Sequence, residues 1–387
     1  NNDSGSLGID QLNASQVVAG SNRIENSQFQ GIQANIAPSG NGSGGHLATV
    51  STNQAAVQGL DTDGLDASSL SGSGVSAQFN TESQQLNASA MGLNASNMEG
   101  MGGNIESASV NNLMVSSDLD DNLHSGSAGS VSATNATYGN TSIAQANMTN
   151  LAGSSSSSGQ AASLSSGSLS DIAGYGHTAE LLTIGGASVN NVAGAQGVKV
   201  DSSTLQGYQS EFGTVDQANL SGLNLRHHDG HSSGSVDSAA MTQANLLGTS
   251  VNQATVTGSS FSNNQQGSTL NIDGASATGL RGFGTQADSV SLQNAAAHGN
   301  GNLTQSGFSV GNVSGSNIGH DAGSIGTLSI NDIQGNRNND SYDASVGSVT
   351  ANDANVNGLA SIGTISGTNA SVQATLGEQN EYAANLD

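Results

Sequence analysis

Residues 241–264 read MTQANLLGTSVNQATVTGSSFSNN. The large apolar residues of this stretch recur at every fifth position, at Met241, Leu246, Val251, Val256 and Phe261. An α-helix returns to the same face every 3.6 residues and a flat strand every second residue, so neither explains the spacing. The period instead predicts short extended segments separated by regular changes of direction.

The same spacing recurs elsewhere, and smaller residues keep a fixed place within it. Further series lie at Leu60, Leu65, Leu70 and Val75, at Ile105, Val110 and Val115, and at Val215, Leu220 and Leu225. Ala often stands two residues before the large residue and shares its face. Gly or Asn often follows two residues later, where a positive φ can redirect the chain. The pattern predicts an all-β fold, a β-solenoid (β-helix) with coils of about 20 residues and a narrow Ala/Val/Leu core.

Four consecutive units, ANLLG, TSVNQ, ATVTG and SSFSN (244–263), resemble the repeats of pentapeptide-repeat proteins. The consensus of that family is a small residue, Asp or Asn, Leu or Phe, a polar residue and Gly. The resemblance implies a four-sided right-handed β-helix. Insertions shift the phase of the repeat, so a three-sided or flattened two-sided coil is also open. The composition is similar to that of bacterial extracellular β-solenoid adhesins and functional-amyloid biofilm fibre subunits.

Composition indicates a slender fold rather than a wide globular core. The 387 residues include 54 glycines and no Trp, and 3% are aromatic. Disorder is disfavoured because the chain has one Pro and only 9% charged residues, whereas disordered segments favour Pro, Lys and Glu. We expect one continuous repeat array over 1–387, with looped-out segments near 153–160 (GSSSSSGQ) and 227–234 (HHDGHSSG).

Charge and cysteine content exclude several classes of partner. With 29 acidic residues against five Lys and Arg, the net charge is −24, which disfavours binding to nucleic-acid phosphates or to anionic membranes. No apolar run is long enough to predict membrane insertion. The chain has no cysteine, so disulfides and thiolate metal sites are excluded. These features favour an extracellular or bacterial cell-surface location.

Two short segments are candidate metal sites. Asp61, Asp63 and Asp66 in DTDGLD echo the first half of a calcium loop, although the acid that closes such a loop is missing. The alternative is that these acids lie on the solvent side of a coil. His227 and His231 in RHHDGH could hold a divalent ion; the alternative is an exposed loop. Calcium is the one cofactor that the sequence suggests.

The function predicted from these patterns is structural. No catalytic constellation is recognisable, so we expect no enzyme. A solenoid with uncapped ends offers unpaired backbone groups to a second copy. The prediction is a self-assembling, head-to-tail subunit of an extracellular bacterial filament, biofilm matrix or adhesin stalk. Two alternatives stay open: a functional amyloid that grows by templating, and an acidic binding module that mimics DNA and acts on a topoisomerase, as the pentapeptide-repeat resemblance implies.

Overall fold

The computed structural model describes residues 4–39, 45–302, 304–356, 360–375 and 381–385. They form the strands β1 (Gly5–Ala19), β2 (Asn22–Pro38), β3 (His46–Asp61), β4 (Leu65–Asn80), β5 (Gln85–Gly100), β6 (Gly103–Asp118), β7 (Leu123–Tyr138), β8 (Thr141–Ser156), β9 (Gly159–Gly174), β10 (His177–Val192), β11 (Ala195–Ser210), β12 (Gly213–His228), β13 (His231–Leu246), β14 (Thr249–Asn264), β15 (Gly267–Gly282), β16 (Thr285–Asn300), β17 (Gln305–His320), β18 (Gly323–Asn338), β19 (Ser341–Val356), β20 (Ala360–Thr375) and β21 (Glu381–Asn385). The described ranges hold no helix long and apolar enough to cross a membrane.

The repeat unit is one long strand and one tight turn. Most strands have 16 residues, and most connections have two residues, as at Phe283–Gly284 between β15 and β16. The predicted all-β repeat architecture is therefore confirmed. The repeat is not the expected coil of about 20 residues. Consecutive strands pair antiparallel across tight turns, whereas the coils of a solenoid would stack parallel.

The chain divides into two compact units, Asn1–Gln196 and Gly197–Asp387. In the first unit, each strand from β1 to β9 pairs antiparallel with the strand that follows it. In the second unit, the same holds from β12 to β20. Each of these strand sets is thus an antiparallel meander.

Both segments expected to loop out lie in regular hairpins. Residues 153–156 end β8, residues 159–160 begin β9, and two serines form the turn between them. Residues 227 and 228 end β12, and β13 begins at residue 231. Asp229 and Gly230 between them have φ of 49° and 75°, as a type I′ turn requires. Ser, Asp and Gly suit a tight hairpin turn as well as a longer loop, which explains the difference.

Kinks, meaning residues with a positive φ that are left out of the cross-strand ladder, recur in the strands and produce the five-residue period. In β14 and β15, Thr257 pairs with Gly274 and Ser259 pairs with Ile272, which leaves Gly258 and its opposite residue out of the ladder. Gly258 has a φ of 56°. The same arrangement recurs from strand to strand, with the positive φ predicted at the Gly or Asn that follows the apolar residue. Examples are Asn112, Asn150, Gly222, Gly279 and Asn294.

Each kink adds one residue to the usual alternation of faces. A Cβ built on Gly72 would lie 2.9 Å from the Val75 side chain, across the kink at Gly74. Likewise, a Cβ on Gly315 would lie 2.8 Å from Ile318. Residues three apart across a kink therefore share a face, whereas residues two apart share it elsewhere. Steps of three and two alternate along the strand, and their sum is the period of five seen in the sequence.

One side of each sheet, called the apolar face below, is built from these positions. Cross-strand partners lie on the same face, and one row across the second unit runs through Leu220, Ala239, Val256, Ala275, Leu292, Val313, Ile330, Val349 and Gly367. Each strand contributes five such positions. In β12–β20 these positions hold apolar residues or Gly, with Ser259 as the single polar residue.

The opposite side, called the hydroxyl face, is lined by paired Ser and Thr side chains. In the second unit, Ser289 and Ser316 hydroxyl oxygens lie 2.7 Å apart, and those of Ser291 and Ser314 lie 2.6 Å apart. Further pairs are Ser69–Ser96, Ser76–Ser89, Ser107–Thr134, Ser109–Ser132, Thr149–Ser166, Ser221–Ser238 and Thr255–Ser276. Such cross-strand hydroxyl pairs stabilise a sheet by a fraction of a kilocalorie per mole each.

Burial is shallow, and the buried hydrophobic residues are small. In the described part of the chain they are Ala67, Ala90, Ala128, Ala179, Val215, Ala244, Ala287, Ala351 and Ala354. Within each unit the contacts between elements join strands that are consecutive in sequence. A second layer over the apolar face is therefore not found among the described residues, and larger side chains such as Phe308 are 49% exposed.

Candidate functional site

The three acids of the predicted calcium segment lie at the hairpin between β3 and β4. Asp61 ends β3, and all three carboxylates are exposed. Asp63 accepts a 2.7 Å hydrogen bond from the Ser21 hydroxyl, and Asp66 accepts a 3.3 Å bond from the backbone N–H of Thr62. These two carboxylates therefore have local hydrogen-bonding partners.

The histidine segment also lies at a hairpin. His228 is the cross-strand partner of His231, whereas His227 is opposite Ser232. Neighbouring residues of a strand point to opposite faces, so the structure places His227 and His231 on opposite sides of the sheet. The Nδ1 atom of His227 lies 2.8 Å from the Ser232 hydroxyl, and His228 lies 3.1 Å from the carboxylate of Asp229. The histidine that shares a face with His231 is His228.

Neither segment forms a metal-binding cluster. No group of three or more His, Asp or Glu side chains that could hold a metal ion occurs in the described ranges. The carboxylate of Asp118, at the end of β6, instead accepts hydrogen bonds at its own turn. The Gln85 amide and the backbone N–H groups of Asp121 and Asp120 donate to the Asp118 carboxylate at 3.1, 3.1 and 3.2 Å. These bonds, that from Gln85 foremost, lower the pKa of Asp118.

Many other acids occupy the kinks of the strands. The Asp273 carboxylate lies where a Cβ on Gly258 would be, and Asp237 lies in the same way against Gly222. Other kinks reverse the arrangement, as where Asn294 has the positive φ and leans on Gly311. Each of these kinks thus pairs a glycine with a short polar side chain on the next strand. Local sequence carries no direct signal of this pairing, because the partners lie 15 to 17 positions apart.

In the described part of the chain, β1 and β20 have sheet edges that are open over much of their length. β1 pairs with β2, and β20 pairs with β19 along its whole length. β21 covers only residues 371–375 of β20. A Cβ on Gly326 of β18 would lie 2.9 Å from the Asp353 side chain of the next strand, whereas a Cβ on Gly363 of β20 would have no atom within 4 Å. Residues 360–370 therefore have one strand partner in the described part of the chain.

The open edges carry few of the features that prevent pairing with other chains. Long edge strands are usually interrupted by Lys, Pro or inward-pointing charges. β1 reads GSLGIDQLNASQVVA and β20 reads ASIGTISGTNASVQAT, without Lys or Pro. Their apolar residues are also well exposed, with Leu7 at 59% and Ile365 at 47%. Both edges are thus chemically suited to accept a further strand.

Together these features define an all-β repeat protein with two exposed sheet faces and open edges. No protein family matches the chain, and no curated protein matches it. The likeness to pentapeptide-repeat proteins therefore rests on the sequence units themselves.

Proposed function

We propose that this chain is a non-enzymatic structural protein that assembles with copies of itself into an extracellular bacterial filament, as a biofilm-matrix subunit or the stalk of an adhesin. Assembly proceeds head to tail, with β1 of one copy pairing with β20 of the next. The proposal is supported by the constant register of the meander, which specifies how such a pair would form.

The register of β18 on β19 can be transferred directly to β20 and an incoming β1. In that register Ile362 would face Val17, Gly367 would face Leu12 and Ala370 would face Ile9, so each apolar position meets another. The kinks also match. Asn369, with a φ of 54°, would meet Asp10, just as Asn294, with a φ of 53°, lies opposite Asp273 within the chain. This match of the apolar positions and of the kinks is the observation that carries the proposal.

The incoming strand would continue the antiparallel alternation and the apolar face. Backbone hydrogen bonds supply the affinity in such strand addition, and side-chain register supplies the specificity. Residues 371–375 are covered by β21, so the pairing that is free to form involves residues 360–370. A head-to-tail contact of this kind joins two different surfaces, and such contacts yield a filament when they do not close into a ring.

Cysteine cross-linking tests the register. In the proposed pair Ser15 lies opposite Thr364, in the same position as the Ser69 and Ser96 hydroxyls, which are 2.7 Å apart. The chain lacks cysteine, so the double variant Ser15→Cys/Thr364→Cys has no competing thiol. Under oxidising conditions we expect a ladder of disulfide-linked multimers, together with filaments by negative-stain electron microscopy.

A matched control uses Ser15→Cys with Ser361→Cys, which moves one thiol three residues out of register. A disulfide needs Cβ atoms about 3.8 Å apart, so we expect little cross-linking from this pair. Equal cross-linking of the two variants, or monomers alone from both, would reject head-to-tail pairing in this register.

A further inference from the structure

The apolar face of the second unit has a relief of high and low points. One row crosses seven strands, in the order Leu225, Gly234, Phe261, Leu270, Ala297, Phe308 and Gly335. The larger side chains stand out: Phe261 is 42% exposed, Leu270 45% and Phe308 49%. The glycines make room for the rings, because a Cβ on Gly335 would overlap the ring of Phe308. The rings thus cover the neighbouring glycines, and the small Ala297 lies between Leu270 and Phe308.

This face is large enough for a stable interface. The nine strands β12–β20 lie about 4.8 Å apart, and the five apolar positions of a strand span about 11 residues of about 3.3 Å each, which gives a face of about 40 by 35 Å. That is about 1,400 Å², whereas a standard protein interface buries about 800 Å² per partner. Contiguous apolar patches of more than a few hundred Å² on soluble proteins mark interaction sites.

The distribution of charge indicates what covers the face. Apart from Ser259, its positions in β12–β20 are apolar or Gly. The acids lie elsewhere, at kinks such as Asp237 and Asp273 and in turns such as Asp321. A partner surface must therefore be broad and free of charge. An identical face meets both conditions.

We propose that the apolar face of the second unit docks against the same face of a second copy of this chain. The two sheets would lie about 10 Å apart, related by a two-fold axis, so that Phe308 of each copy packs over the small Ala297 of the other. This contact is independent of the head-to-tail pairing proposed above, because it uses the faces of the strands and leaves their edges free.

Single-cysteine variants on opposite faces of one strand test the contact. Ala297 lies on the apolar face of β16 and Ser291 on its hydroxyl face, and both are half-buried. Face-to-face docking brings the Ala297 positions of two copies close together, so Ala297→Cys should be cross-linked into dimers by a bismaleimide that spans about 10 Å. Ser291→Cys should not. Head-to-tail pairing alone would cross-link neither variant, because equivalent strands would lie a whole chain apart.

A second experiment places a charge on the apolar face. Introducing Phe308→Asp into the Ala297→Cys variant should reduce the yield of dimer at least tenfold, because the carboxylate would be buried without a partner. The matched control is Phe283→Asp, since Phe283 is 83% exposed in a turn; it should leave the yield unchanged. Circular dichroism checks that each variant is folded.

The proposal is overturned when Ala297→Cys gives no more dimer than Ser291→Cys although both thiols react with a monofunctional maleimide. That result would show that this face does not dock against the same face of a second copy. An unchanged yield in the folded Phe308→Asp variant would also contradict docking through this row.

Discussion

Replacing one kink glycine should show how strongly the paired kinks hold the sheet together. Gly258 has a φ of 56°, and the Asp273 carboxylate occupies the space that a Cβ would need. Gly258→Ala therefore has two costs: about 1–2 kcal/mol for a left-handed L-residue, and about 1–3 kcal/mol for forcing a packed neighbour aside. We expect a loss of about 2–5 kcal/mol in the free energy of unfolding, measured by denaturant titration.

Two double variants separate these costs. In Gly258→Ala/Asp273→Gly the obstacle is gone, so only the cost of the left-handed φ, about 1–2 kcal/mol, should persist. In Gly258→Asn/Asp273→Gly the kink becomes a copy of the Asn294–Gly311 kink two strands further on, and the stability should return to within about 1 kcal/mol of the original chain. As a control, Gly367→Ala should be close to neutral, because Gly367 has no positive φ and no neighbour within 4 Å.

A change of less than about 0.5 kcal/mol in Gly258→Ala, the usual range of an exposed surface substitution, would refute this account of the kink. A swapped kink no more stable than Gly258→Ala alone would refute it as well.

Two further predictions concern turns. Phe283 has a φ of 51° in its turn and is 83% exposed, so Phe283→Asn should stabilise the chain by about 1 kcal/mol because Asn tolerates this conformation; a lowered melting temperature would show that the ring packs in solution. The hydrogen bonds to Asp118 lower its pKa from 3.8, so their contribution is present above that value and is lost as the pH falls through the lower folded-state pKa. Asp118→Asn lacks this contribution, so its free energy of unfolding should fall less than that of the original chain as the pH is lowered from about 5 to 2. An unchanged pH profile in denaturation experiments would contradict this prediction.

The sequence is sufficient to predict the period, the all-β class and the backbone conformation at the kinks. Val251, Val256 and Phe261 do share a face, and Gly258 between the last two does have a positive φ. Local residues do not determine whether a positive φ at that point turns the chain around a corner or only kinks a strand. Both need the same residue types, namely a small inward residue, a larger one and then Gly or Asn. The choice is made by the pairing of distant strands, which local patterns do not record.

The same limit applies to the candidate sites. His227 and His231 are close in sequence, but the two-residue turn puts His231 opposite His228 and leaves His227 facing the other way. An expected loop would have allowed all three to converge. Likewise, the contact of Asp237 with Gly222 depends on strand register and not on local sequence.

The alternation of kink positions means that the sheet can gain or lose strands only in pairs. Positive φ falls at the tenth residue of β12, β14 and β16 (Gly222, Gly258 and Asn294) and at the thirteenth residue of β13 and β15 (Gln243 and Gly279). Removing one strand would place two strands with the kink at the same residue side by side, whereas removing a hairpin of 36 residues, the spacing from Gly222 to Gly258, keeps the alternation of kink positions. Evolution can therefore lengthen or shorten such a chain in 36-residue steps, and each step changes the width of the sheet by two strand spacings of about 4.8 Å.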